Sequence, residues 1–215
     1  MPSVKTIQTE HGACSPDSKS GGFAPLLGDG NLMRRLWQGA GSMLTDLSRL
    51  KNRLVAKFAT RYLFFKNVLT SRYQPDESKD IPWTPVRKHL NDSVLAVVTT
   101  AGVHHRGQRP FDMTDPNGDP SFRAIDLRRP VTDLMITHDY YDHSDADRDI
   151  NIVFPVERLR EFEREGILGK LADIHYGFMG HILGSCIETL VNNTAPEVAE
   201  RLKAAGIDAV LLTPA

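Results

Sequence analysis

Cysteine is scarce: Cys14 and Cys186 are the only two in 215 residues. A disulfide-stapled secreted scaffold is therefore excluded, and a cytoplasmic setting is the default. Net charge is nearly absent too, at −1, which gives no overall attraction to nucleic acid. No apolar run approaches the length of a membrane span, and Met1–Gly12 is polar with no apolar h-region. No internal repeat is present, and neither GxGxxG nor GxxxxGK[ST] occurs, so no phosphate-binding fingerprint sets the function.

The near-zero total conceals a strong segregation of charge. From Asn31 to Tyr73 nine Lys/Arg face a single acid, Asp46, a local +8. The remainder of the chain must then carry −9. Three sections follow from composition. Residues 1–30 are rich in Gly, Ser, Pro and Asp and read as a flexible, disordered tail. Residues 31–88 form a basic helical region and a Pro-containing linker, Tyr73–Pro85. Within it Leu44, Leu47, Leu50, Leu54, Phe58, Tyr62 and Phe65 recur at steps of three or four, which predicts one long amphipathic helix over Leu44–Phe65. Its apolar stripe is expected to be covered by this chain or by a second copy, with Lys and Arg solvated. Contact with a membrane surface is not expected.

Residues 89–215 read as an α/β domain, with a mostly parallel sheet and flanking helices. Expected strands are Val94–Val98, Ala124–Leu127, Asp133–Thr137 and Ile150–Phe154. Val156–Glu165 is expected as a helix with Leu159 and Phe162 facing inward, and Leu171–Phe178 is ambiguous. Thr194 is placed to cap a helix over Pro196–Ala205, stopped at Gly206. Ala209–Leu212 then reads as an interior parallel strand, because its apolar run does not alternate. Its carboxyl end is expected to point toward the Thr99–Gly102 and His138–His143 loops, where open α/β sheets gather their working groups.

Several segments offer chemistry. Thr99, Thr100 and Gly102 close the first strand, where hydroxyls and backbone N–H groups can face an anion or simply make a tight turn. Thr137–Asp149 packs two His and five Asp into thirteen residues. On a helix, His138 and Asp142 would share a face, as would Asp139 and His143. That spacing fits neither an HExxH pair nor an EF-hand loop, so the signal is compositional and no metal is expected. His175 and Tyr176 could lie near the same edge or pack as a turn. Cys186 reads as a small core residue.

The ordered series VVTTAGVHHRGQRPFD, GDPSFRAI, DLMITHDYYDHSDADRDINIVFPVERLREFEREGILG, HYGFMG and APEVAERLKAAGIDAVLLTP, spread over Leu95–Ala215, resembles the selenoprotein B family of glycine, sarcosine, betaine and D-proline reductases. The resemblance implies a selenol- or thiol-dependent oxidoreductase subunit that cleaves a C–N bond reductively in a small-molecule amine. It also implies a partner subunit bearing a pyruvoyl group, and a thiol or selenol carrier. No cofactor is expected in this chain itself. Thr99, Thr100, Gly102, His138, Asp142, His143, Asp145, Asp149 and Asn151 match the family's motifs and become candidates for shaping the site, as do His175 and Tyr176. In the family, the strand matching Ala209–Leu212 leads into selenocysteine (or Cys), two residues, then Cys. The catalytic residue is therefore expected immediately after Ala215, and the chain as written, ending at a UGA codon read as stop, is expected to be an inactive, truncated product. Two alternatives stay open: a non-catalytic interaction protein that keeps the fold, and a metal-binding protein using the His138–Asp149 loop. A homo-oligomer is compatible with either.

Overall fold

The computed structural model describes residues 46–58 and 84–215. The expected flexible tail, Cys14 and the Pro-containing linker up to residue 83 lie outside them. Residues 46–58 are helical and form α1, within the expected Leu44–Phe65 helix, whose two ends lie outside the described residues. In chain order there follow β1 (Val94–Thr99), β2 (Val103–His105), β3 (Arg123–Asp126), β4 (Leu134–Ile136), α2 (Val156–Arg164), β5 (Lys170–Leu171), β6 (Ile174–Gly177), α3 (Ser185–Thr189), α4 (Ala195–Ala204) and β7 (Ala209–Thr213). A π-helical turn, Leu190–Thr194, joins α3 to α4.

β1 is the axis of the fold. It pairs in parallel with β5 and β6 on one side and with β7 on the other, while β3 joins β6 antiparallel. β2 and β4 form a separate antiparallel pair. The architecture is α/β with a mostly parallel sheet, as the alternation of elements predicts. β1 reads VLAVVT without alternation because both of its faces are covered. Leu95 and Val97 pack with Phe154, Val156 and Leu159 on one face. Ala96, with Val94 and Val98 beside it, packs against Val198 and Leu202 of α4 on the other.

Four sequence expectations need correction. Ile150–Phe154 is not a strand: Ile150–Ile152 is a 3-10 turn, because the Asp149 carboxylate accepts the Asn151 N–H at 3.0 Å and turns the chain. Phe162 faces solvent, whereas Leu159 is buried as expected. Thr194 caps nothing. Its hydroxyl donates to Pro120 O at 2.7 Å, and the helix runs through it. β7 is parallel to β1 as expected, but it is an edge strand among the described residues, with Val210, Leu211 and Leu212 exposed. Its five-residue ladder on β1 and the hydroxyl bond from Thr213 to Val153 O at 2.7 Å hold it there with one side open.

Of the two expected covers for the stripe of α1, this chain supplies none among the described residues. Leu47, Leu50 and Leu54 are 55%, 54% and 48% exposed, while Ala56 on the opposite face is buried. Polar contacts hold the helix to the domain, with its apolar side outward.

Candidate functional site

The carboxyl ends of β1 and β7 meet at one edge of the sheet. Thr100 N–H donates to Thr213 O at 3.0 Å, and the Ala215 N–H reaches back to Thr100 Oγ1 at 3.2 Å. Thr99, one residue earlier, is fully buried and serves the scaffold: its hydroxyl donates to Val153 O at 3.0 Å and accepts the Ala101 N–H at 3.2 Å. The two threonines of one motif thus do different work.

Gly102 makes the turn that brings the next loop in. Its φ is +73°, and a Cβ there would stand 2.4 Å from Thr137 O, so a side chain would meet both strain and a backbone clash. Gly102 N–H donates to Phe178 O and its carbonyl accepts the Thr137 N–H, which ties the three loops after β1, β4 and β6 together. Gly180 completes the edge, because a Cβ there would lie 3.2 Å from both Thr100 O and Ala215 O.

His138 sits at the centre of this junction, 3% exposed. Backbone N–H groups of Tyr140 and Gly180 approach its Nδ1 and Nε2, each at 3.2 Å. A neutral imidazole accepts at one nitrogen only, and an imidazolium at neither. Burial, reinforced by His181 and His143, pushes its pKa down to about 4. The ring is therefore neutral at pH 7 and unsuited to carrying a positive charge. From it runs a row of rings. Tyr140 lies 5.9 Å away edge-on and stacks on His181 at 3.7 Å, while Tyr141 lies 4.8 Å away and meets His143 at 5.6 Å. The Tyr141 hydroxyl donates to Ala101 O at 3.1 Å, and burial raises its phenol.

Asp139, between His138 and Tyr140, is 1% exposed as a side chain and is gripped from α1. Arg49 Nε donates to its Oδ2 at 2.6 Å and Arg53 Nε to its Oδ1 at 2.8 Å. Burial raises this carboxyl, but the two guanidinium hydrogen bonds and charges outweigh it and hold the group below the ordinary carboxylate value. Asp139 is thus an anion at neutral pH, with both oxygens occupied.

The other sequence candidates separate into two groups. Asp142, His143, Asp145, Asp149 and Asn151 continue the same loop but serve local turns. Asp142 accepts the Ser144 N–H at 3.2 Å, His143 pairs with Asp147 at 2.8 Å and Asp145 with Arg148 at 3.1 Å. Asn151 bridges Asp149 to Glu157 through its side-chain amide, with both contacts at 2.8 Å. Among the described residues, no three His, Cys, Asp or Glu side chains are grouped as metal ligands. His175 and Tyr176 lie on β6 and point into the two sheet faces. His175 Nδ1 accepts the Val97 N–H and Nε2 donates to Ala172 O, both at 2.8 Å. Burial holds its pKa at about 4. Tyr176 packs edge-on against Phe122 at 5.6 Å.

Sequence reasoning missed Gly180, His181, Tyr140, Tyr141 and the Arg49–Asp139–Arg53 clamp. Asp139, Tyr140 and Tyr141 lie in the polar Thr137–Asp149 stretch and Gly180 ends HYGFMG, while Arg49 and Arg53 at i,i+4 present two cations on one helix face.

Comparison with known proteins places the sequence among its relatives. A sequence model of the glycine/sarcosine/betaine reductase selenoprotein B family matches residues 54–215. The D-proline reductase subunit gamma of Acetoanaerobium sticklandii is 44% identical over 131 residues, 61% of this chain and 52% of its own length. The glycine reductase complex component B subunit gamma of Carboxydothermus hydrogenoformans is 33% identical over 138 residues, 62% of this chain and 30% of its own. The betaine reductase complex component B subunit beta of Peptoclostridium acidaminophilum is 30% identical over 133 residues, 59% and 29% respectively. The matched region thus spans about half the length of the first relative and less than a third of the other two. No solved structure gives a significant match.

Proposed function

The chain belongs to the glycine/sarcosine/betaine reductase selenoprotein B family, and from that premise we propose that it works as part of a reductase-complex subunit whose redox chemistry takes place at the carboxyl edge formed by Thr100, Gly180 and His138. The substrates are small amines of the glycine, betaine or proline type. In the reaction the C–N bond is replaced by C–H and N–H as a selenol and a thiol close to a selenenyl sulfide, so two electrons pass from the chalcogen pair to the substrate. A pyruvoyl group on a partner subunit would supply the carbonyl that binds a primary or secondary amine, and a thiol or selenol carrier would return the pair to its reduced form.

The observation that carries this reading is the convergence at one edge of the ends of β1 and β7 with the loops after β4 and β6. By the family resemblance a redox motif follows β7, and residues placed there would enter the sheet's carboxyl edge, where α/β folds place their working groups. Gly180, with no Cβ, leaves the backbone there open to a close approach. Thr100 Oγ1 accepts the Ala215 N–H and so fixes the direction of the strand's exit. His138 is neutral at pH 7 and brings a buried, uncharged ring to this edge. The ring row from His181 to His143 walls this edge with half-buried aromatic surface.

The test is reconstitution. A polypeptide in which β7 is followed by the family's motif in its Cys-x-x-Cys form is combined with the pyruvoyl-type partner subunit. Dithiol-driven cleavage of glycine, betaine or D-proline is then measured. Substrate-dependent turnover supports the reading. Alkylation confined to Cys186, with the motif cysteines inert to iodoacetamide at neutral pH, would overturn it.

A further inference from the structure

An amphipathic helix draws most of its stability from packing its apolar face, yet α1 is fastened the other way round. At 100° per residue, Arg49, Arg53 and buried Ala56 share the inward face, where the two guanidiniums hold Asp139 at 2.6 and 2.8 Å. Leu47, Leu50 and Leu54 lie together on the opposite side, roughly half exposed, with Val55 beside them. Lys51 projects from that outward arc, and Asp46, the single acid among residues 46–58, lies off it. The outward face is therefore apolar with a positive charge, on a helix whose own domain is acidic.

We infer that the Leu47–Leu50–Leu54 face of α1 is a docking surface for an apolar helix face bearing carboxylates, supplied by another subunit of the complex. The identity of that partner rests on the function proposed above, while the chemistry of the face rests on α1 itself. Charge favours a helix-sized protein partner over an anionic lipid surface. α1 is fastened to the loop that also carries the exposed Asp145, Asp147 and Asp149. Outside residues 31–73 the chain sums to −9, which opposes the approach of an extended anionic plane. A partner confined to the stripe can pair a carboxylate with Lys51 and avoid the loop. The location gives the contact a purpose. Arg49 and Arg53 hold the residue between His138 and Tyr140, so a subunit seated on α1 is brought beside the carboxyl edge and its aromatic row.

The experiment uses the full chain with the partner subunits of the complex. A photo-crosslinking amino acid is placed at Leu54 in one variant, at Tyr140 in a second and at exposed Arg164 on α2 in a third. Crosslinks to a partner subunit from Leu54 and not from Arg164 are the expected result. Leu50→Gln with Leu54→Gln, at positions already half exposed, should weaken association about tenfold or more while the far-UV circular dichroism is unchanged. Lys51→Glu should weaken it further as salt is lowered. Crosslinks from Tyr140 but not from Leu54, with association unaffected by the double variant, overturn the inference and leave the family function standing. Absence of any association overturns both. Binding to phosphatidylcholine–phosphatidylglycerol vesicles that the double variant abolishes, without a crosslink from Leu54, also overturns it by assigning the face to a bilayer.

Discussion

Acidification from pH 7 to pH 4 should strip this domain of much of its stability before its carboxylates titrate. His138 and His175 both fall from an ordinary 6.5 to about 4, because burial disfavours the imidazolium. Between those values the unfolded chain takes up protons that the folded chain refuses, so stability rises with pH across that window. The contribution is complete above about pH 6.5, falls as the pH drops, and is gone at about pH 4. Each histidine shifts by about 2.5 units, which at about 1.4 kcal/mol per unit makes its full effect about 3 kcal/mol. Together they give a slope of order 2–3 kcal/mol per pH unit near pH 5. Buried His104 and His105 are lowered as well and add with the same sign. Against a domain stability of order 5–15 kcal/mol, the loss is large. The assay is urea denaturation followed by far-UV circular dichroism at closely spaced pH values from 7.5 to 4. His175→Gln should lower stability at pH 7, remove roughly half of the paired slope, and so narrow its deficit against the parent as the pH falls toward 4. Its Nδ1 and Nε2 bonds to Val97 and Ala172 lie in the core. A flat stability profile between pH 6.5 and 4 would refute the reasoning outright, since no ordinary Asp or Glu titrates across most of that interval.

Other substitutions probe the scaffold of the site. Gly102→Ala puts a Cβ at φ +73° and 2.4 Å from Thr137 O, and should cost about 1–3 kcal/mol by chemical denaturation, because strain and a backbone clash combine. Asp139→Asn removes the anion that two partly exposed arginines hold. It should speed hydrogen exchange across residues 46–58 by several-fold and leave β1 protected, since such pairs are worth about 1 kcal/mol each. Thr100→Val deletes the acceptor for the Ala215 N–H, and should lower reductase turnover by about fivefold or more with little change in stability, consistent with one lost hydrogen bond at the exit of β7.

Much of the fold was legible because periodicity and burial agree. β1 reads as a run without alternation because α2 and α4 cover both of its faces, and α2 and α4 lie within a residue or two of their expected bounds. Legibility failed where a side chain overrode the pattern. Asp149 turns Ile150–Ile152 into a 3-10 helix although three of five residues from Ile150 to Phe154 are β-branched. Thr194 looks like a cap, yet its hydroxyl is taken by a distant carbonyl. Within the site, Thr100, Gly102 and His138 could be chosen from their place after strands. Asp139 could not, because its importance comes from Arg49 and Arg53, about ninety residues away. Nor does a charge count reveal that a helix docks by its polar side. His175 follows the same rule in reverse. It looks like a site residue in sequence, and three-dimensional packing makes it a fully buried bridge between β1 and Ala172.

The central claim is that chemistry happens at the edge where β7 leaves the sheet beside Thr100, Gly180 and His138. The most direct measurement is single-turnover, dithiol-driven cleavage of a glycine, betaine or D-proline substrate by the motif-bearing polypeptide with its partner subunit, comparing the parent with Gly180→Leu. A leucine at position 180 would begin with a Cβ 3.2 Å from Thr100 O and Ala215 O and then fill the space over the strand's exit. Gly180 itself is exposed, so folding should survive. The account predicts that the rate collapses by about a hundredfold or more, with the circular dichroism spectrum and the pH-dependent stability unchanged. Full activity in Gly180→Leu, with the same folded spectrum, would contradict it and place the chemistry elsewhere.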